Sequence, residues 1–138
     1  MNKPLRIDAS AIPSRSWDDP ARGTLTWTPL FSKGTTETDA LVCGISDIQP
    51  GQHFALHSHP EPEVYFGISG TGEVMIDGVP HLLAPGVALY IPGGALHGIL
   101  QVSQPLRWFY TFACDSFDQI AYHFPHEGAA NAPSPRHP

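Results

Sequence analysis

Residues 51–70 read GQHFALHSHPEPEVYFGISG, and the fold turns on how this stretch is read. It supplies two imidazoles and a carboxylate, His57, His59 and Glu63, within seven residues. A second stretch, GVALYIPGGALHGILQ over residues 86–101, adds the imidazole of His97. Three nitrogens and one oxygen form a donor set that suits a divalent transition metal. Side chains alternate faces along a strand, so His57 and His59 share one face of an extended segment. Glu63 and Tyr65 share a face of the next. Pro60 and Pro62 stiffen the link between the two pairs. His97 has to arrive from a distant strand, which only a folded barrel arranges.

Working outward, the chain breaks into short runs rich in Val, Ile, Thr and aromatics, separated by Gly, Pro or Asp. The expected strands are 24–33, 39–49, 52–57, 63–69, 72–77, 79–83, 87–91, 96–102 and 106–114. Asp77-Gly78 is a hairpin turn signal, and Gln49-Pro50-Gly51 and Ala84-Pro85-Gly86 are turns of the Pro-Gly kind. Only 116–122 reads as a short helical turn. Nine short strands in this space predict an all-β fold, an antiparallel jelly-roll β-barrel. Residues 1–22 form a polar N-terminal arm, with Trp17 expected to pin it to the barrel or to a partner subunit. The barrel is expected over 23–124, and 125–138, rich in Pro and small residues, is expected to be a flexible tail.

Composition narrows the function. The 138 residues suit one domain, with fifteen Pro and thirteen Gly punctuating it. Seven Lys and Arg, scattered against thirteen acidic residues, make no basic stripe, so nucleic acid is not expected as a partner. There is no apolar run near the length of a membrane span and no leader-like N-terminus, which leads us to expect a cytoplasmic protein. Cys43 and Cys114 lack CxxC spacing and read as reduced thiols. His53 shares parity with His57, which makes it a candidate for the cavity, although a satisfied or exposed imidazole is the plainer reading. His81, His123, His126 and His137 read as surface or tail residues.

The two histidine stretches resemble the paired motifs of the cupins. In the first motif, G(X)5HXH(X)3-4E(X)6G, Gly51, His57, His59, Glu63 and Gly70 fill every fixed position. In the second, G(X)5PXG(X)2H(X)3N, Gly86, Pro92, Gly94 and His97 match, and Gln101 stands where Asn is usual. The resemblance implies a small single-domain barrel with a metal in its mouth held by His57, His59, Glu63 and His97. In such proteins the metal is iron, manganese, nickel, zinc, copper or cobalt, and the residues do not choose among Fe, Mn, Ni and Zn. The resemblance also implies a homodimer, with the arm and strand 24–33 swapping or pairing across a two-fold axis.

Two further stretches, TLTWTPLFSKGTTETDALVCGISDIQPG over 24–51 and WFYTFACDSFDQIAYHF over 108–124, are similar to a subgroup that includes the cupin-type dimethylsulfoniopropionate lyases. In that subgroup a tyrosine follows the glutamate ligand by two, as Tyr65 does here, and a second lies near the C-terminus, as Tyr122 does. The likeness implies a metal-dependent β-elimination on a small carboxylate, with Tyr65 as the base and Tyr122, Trp108 and Tyr110 lining the pocket. Plain packing roles remain open for all four aromatics. An Fe(II)-dependent dioxygenase on the same ligands and a non-enzymatic small-molecule-binding cupin are the alternatives. A metal-free sugar isomerase is disfavoured by the complete ligand set.

Overall fold

The computed structural model describes residues 3–128. Nine strands follow in chain order: β1 (Thr26–Phe31), β2 (Val42–Ile48), β3 (Phe54–His57), β4 (Glu63–Ser69), β5 (Gly72–Ile76), β6 (Val79–Leu83), β7 (Ala88–Ile91), β8 (His97–Ile99) and β9 (Leu106–Phe112). They form a five-stranded sheet, β1-β2-β9-β4-β7, and a four-stranded sheet, β3-β8-β5-β6, with every pairing antiparallel. The nine expected strands are all present, and the jelly roll stands. No helix among the described residues is long and apolar enough to cross a membrane.

The inner faces follow the expected alternation. In β9, Leu106, Trp108, Tyr110 and Phe112 are buried while Arg107, Phe109 and Thr111 are only partly so. In β4 the buried residues are Glu63, Tyr65 and Gly67. Trp108 and Tyr110 therefore both look inward, from one face. Pro29 is tolerated because β1 is an edge strand, where a missing N–H breaks little of the ladder. The Asp77-Gly78 turn is as expected, with both residues at positive φ (49° and 80°) between β5 and β6.

Several strands are shorter than expected, and the competing hydrogen bonds show why. Ala40 takes φ 66° and gives its N–H to the Asp115 carboxylate at 2.7 Å, so β2 cannot begin at 39. Leu96 gives its N–H to Asp77 Oδ1 at 2.8 Å, which holds β8 to three residues. The helical turn expected at 116–122 is a 3-10 helix over Phe117–Gln119. Ser116 caps it by accepting from the Asp118 N–H, and the Gln119 side chain accepts from the Ser116 N–H.

Both ends of the described chain are tied to the barrel. Arg15 of the arm pairs with Trp27 of β1 through two backbone hydrogen bonds, 2.7 and 3.0 Å. The arm thus covers the edge of its own β1 at this point. Trp17 is buried, its ring 5.6 Å from Trp27, 5.2 Å from Tyr122 and 5.5 Å from Phe124.

At the other end, the boundary drawn for a flexible tail at 125 falls inside ordered structure. Phe124 is buried, Pro125–Glu127 forms a 3-10 helix, and Glu127 receives a two-pronged contact from Arg22 (2.6 and 2.9 Å). The Arg22 guanidinium also lies 4.6 Å over the Phe124 ring. An aromatic plug and a part-buried Arg–carboxylate pair outweigh the local turn-forming composition that suggested a tail. Residues 129–138 of that expectation lie outside the described residues.

Because Trp17 joins four aromatic neighbours, Trp17→Ala is expected to cost about 3–5 kcal/mol of folding free energy. The change in denaturation midpoint against the parent chain measures it.

Candidate metal centre

The barrel brings the three imidazoles together from two strands and a loop. His57 ends β3 and His97 begins β8. The two are direct cross-strand partners, with ring centroids 4.2 Å apart. His59 lies just beyond β3, its ring centroid 5.9 Å from that of His57 and 5.1 Å from that of His97. The ligand nitrogens of the three residues all lie within 4.8 Å of one another, and all three residues are buried.

Glu63 comes from the facing sheet, as the first residue of β4. Its Oε1 lies 3.2 Å from His97 Nε2 and 3.3 Å from His59 Nε2. The four residues singled out in the sequence thus meet in one place.

The backbone sets the tautomers. His57 Nδ1 faces the Ala55 carbonyl at 2.7 Å, His59 Nδ1 the Glu61 carbonyl at 2.8 Å, and His97 Nδ1 the Ala95 carbonyl at 2.9 Å. A carbonyl only accepts, so each Nδ1 carries the proton and each Nε2 presents a lone pair inward. His59 Nε2 approaches Glu63 without hydrogen-bond alignment, leaving a buried nitrogen with no partner among the described residues. Three fixed lone pairs, one of them orphaned, beside a buried carboxylate fit a divalent ion well.

Charge follows from the packing. Burial and the neighbouring His97 hold His57 well below its ordinary 6.5 in the metal-free chain. Burial opposes ionisation of Glu63, but the adjoining imidazoles, His59 at 3.3 Å and His97 at 3.2 Å, outweigh it and leave Glu63 below its ordinary 4.5. Burial likewise opposes protonation of His59, yet the Glu63 carboxylate outweighs it and raises His59 above 6.5.

The signs give a pH profile for the metal-free protein. Below pH 6.5 the unfolded chain takes up a proton at His57 that the folded chain refuses, so stability falls with pH. The contribution of Glu63 is present above 4.5 and is lost as pH drops through its folded value. The contribution of His59 is complete below 6.5 and is lost as pH rises through its raised value. Thermal unfolding of the metal-free chain at a series of pH values should therefore show greatest stability near pH 6.5. A midpoint that rises steadily toward pH 4.5 would contradict it.

Both candidate tyrosines lie beside the cluster and are buried. The Tyr122 ring is 5.5 Å from His57 and 5.2 Å from His59, and its hydroxyl has no hydrogen-bond partner among the described residues. The Tyr65 ring is 6.3 Å from His97 and 5.4 Å from Trp108. Burial first, and the Glu63 charge second, push both phenols well above their ordinary 10 in the metal-free chain. Tyr110 packs deeper, against Phe112 and Phe117.

Among the described residues, the remaining histidines stay out of the cluster. A register shift between Phe54 and His57 turns both of those side chains inward and breaks the parity that linked His53 to His57. His53 is half-buried, with Nδ1 3.4 Å from Thr24 Oγ1. His81 and His126 are exposed, and Gln101 is exposed past the end of β8. Cys43 and Cys114 are free thiols. Sequence reasoning missed Phe124, whose ring lies 5.4 Å from His57, because it stands at the very end of the expected barrel, where no strand pattern turns it inward.

The cupin-domain family Cupin_2 matches residues 44–112, a span that holds all four clustered residues. The chain is a cupin. This cupin is 42% identical over 121 residues to dimethylsulfoniopropionate lyase DddW from Ruegeria pomeroyi, an alignment covering 88% of this chain and 80% of that one. Among solved structures it resembles the polyketide cyclase RemF from Streptomyces resistomycificus (TM-score 0.72, 19% identity, covering 83% and 82% of the two chains). It also resembles the lyase DddQ from Ruegeria pomeroyi (TM-score 0.66, 21% identity, covering 90% and 61%). Both structural likenesses concern the fold.

Proposed function

We propose that this cupin is a metal-dependent lyase that splits dimethylsulfoniopropionate, or a close relative of it, by β-elimination. The observation that carries the reading is the pairing of a buried His57–His59–His97–Glu63 cluster with two buried tyrosines, in a chain 42% identical to DddW across most of both. The three imidazoles and Glu63 would hold the ion; of Fe, Mn, Ni and Zn, the donor set suits each. Bound there, a divalent ion would supply Lewis acidity toward a carboxylate and positive charge that offsets both the burial and the Glu63 charge that raise the nearby phenols.

The chain's own residues then do the rest. Tyr65, as phenolate, takes the proton from the carbon next to the substrate carboxylate. The C–H electrons become the new double bond and the C–S bond breaks onto sulfur. Dimethyl sulfide leaves and acrylate remains, with the proton on the Tyr65 oxygen. Tyr122, edge-on to Trp17, walls the cluster from solvent. Phe124 closes the same side.

The test is elemental analysis of the untagged protein, followed by headspace detection of dimethyl sulfide with dimethylsulfoniopropionate supplied under anaerobic conditions. We expect about one divalent ion per chain and sulfide release without oxygen. Full metal loading with no sulfide, or turnover that consumes oxygen, would move the assignment to a dioxygenase or a binding protein.

Assembly as a homodimer belongs to the same reading. The outer face of the five-stranded sheet exposes Phe66, Ile68 and Tyr90 on β4 and β7, an apolar surface that a second copy would cover. Light scattering should give twice the 15.0 kDa chain mass, and a monomer would remove this part.

A further inference from the structure

The centre is shut off from water. His57, His59, Glu63 and His97 are each at most 4% exposed, and Tyr65 and Tyr122 at most 2%. A small carboxylate cannot reach these side chains through such a surface. One wall has to move before any molecule meets them.

Which wall can move follows from how each is held. Glu63 and His97 stand on inner strands: β4 lies between β9 and β7, and β8 between β3 and β5. Opening either would break a run of backbone hydrogen bonds at once. The loop that carries His59 is tied down by the Gly94 N–H, which gives to the His59 carbonyl at 2.8 Å. Gly93 packs so close to that loop that a Cβ there would meet the Pro60 oxygen at 2.1 Å.

The segment 121–127 is held differently, for it belongs to neither sheet. It lays the Tyr122 and Phe124 rings 5.5 and 5.4 Å from the His57 ring. Its backbone meets the barrel where Ser58 and His123 exchange two hydrogen bonds of 2.9 Å. The Tyr122 hydroxyl has no partner among the described residues, so an outward swing breaks no hydrogen bond there and gives the phenol to water.

Both ends of the segment are defined. Ahead of it the Phe117–Gln119 turn is fixed, with the Phe117 N–H giving to Ser32 Oγ at 3.0 Å and Ile120 fully buried. At the far end Arg22 donates to both carboxylate oxygens of Glu127, at 2.6 and 2.9 Å, while its guanidinium lies 4.6 Å over the Phe124 ring. One arginine, itself outside both sheets, thus grips the segment twice. The pair is part-buried, which makes its charged hydrogen bonds stronger than those of a surface pair.

We propose that residues 121–127 form a lid over the centre, hinged after Ile120 and latched shut by the Arg22–Glu127 pair. The proposal concerns access to the centre and takes nothing from the reaction assigned above.

Two readouts test it on the full chain, on Glu127→Gln, on Arg22→Gln and on the double variant. One is hydrogen exchange at the His123 amide, compared with amides of β4 and β9. The other is the rate at which excess chelator removes zinc from the zinc-loaded chain. Glu127→Gln is expected to speed both His123 exchange and zinc release by at least about tenfold, because charged hydrogen bonds of this kind are lost only on opening. Exchange in β4 and β9 should not change. Since the two side chains act as one latch, the double variant should be no faster than the faster single variant.

Parental exchange at His123 in Glu127→Gln, acceleration spread equally over β4 and β9, or additive effects of the two single variants would overturn the proposal. If the variants fail to fold, the parent decides: His123 exchanging faster than β4 and β9 supports the lid, and equal exchange overturns it. If no chain takes up zinc, the metal-centre reading fails and exchange alone decides on the lid. A chain that releases dimethyl sulfide but exchanges His123 no faster than β4 keeps the lyase reading and loses the lid.

Discussion

His97→Ala should empty the centre and abolish turnover while leaving the barrel folded. His97 is the cross-strand partner of His57 and the closer of the two imidazoles to Glu63 Oε1, at 3.2 Å. Its loss removes one of three converging lone pairs and leaves Glu63 with a single imidazole beside it. Metal affinity is expected to fall by at least about a hundredfold, since even residues that only orient ligands cost that much. Turnover should drop below about a thousandth of the parent. The readouts are metal content after dialysis and the rate of sulfide release, with circular dichroism confirming the strands. Retention of one ion per chain at parental affinity would remove His97 from the centre.

Tyr65→Phe should separate chemistry from binding. The phenyl ring keeps the packing against Trp108 and near His97, so fold and metal content should be unchanged. Only the hydroxyl is lost, and with it a base worth about a hundredfold to ten-thousandfold in rate. The loss should appear in kcat, with KM changed little. Tyr122→Phe gives the comparison: the ring that contacts Trp17, His57 and His59 stays, and only an unpartnered hydroxyl disappears. If Tyr122→Phe proved the more damaging to kcat and Tyr65→Phe the milder, the assignment of the base would pass to Tyr122.

How far the centre could be read in advance depended on the kind of signal. His57, His59 and Glu63 were legible because close spacing and two prolines leave few ways to hold them apart. Tyr65 was legible by parity with Glu63, and the alternation of β4 holds without interruption. For His53 the plainer reading held: it is half-buried against Thr24, and parity with His57 fails because β3 carries a register shift, which reverses faces without leaving a mark on composition. The closing of the centre was the least legible part. Phe124 and Glu127 lie in a stretch whose prolines and small residues favour an open chain. Their partners, Trp17 and Arg22, are more than a hundred positions earlier.

The amino-acid order by itself determined the β class, the strand count, the principal turns and the chemical nature of the donor set. These follow from local rules: alternation, turn chemistry and the affinity of imidazole and carboxylate for divalent ions. Only the tertiary structure decided that His97 lies across from His57 and that three carbonyls turn every Nε2 inward. Those outcomes depend on which backbone groups and side chains meet across the two sheets. Such meetings are set by long-range register and packing, which no local window of residues contains.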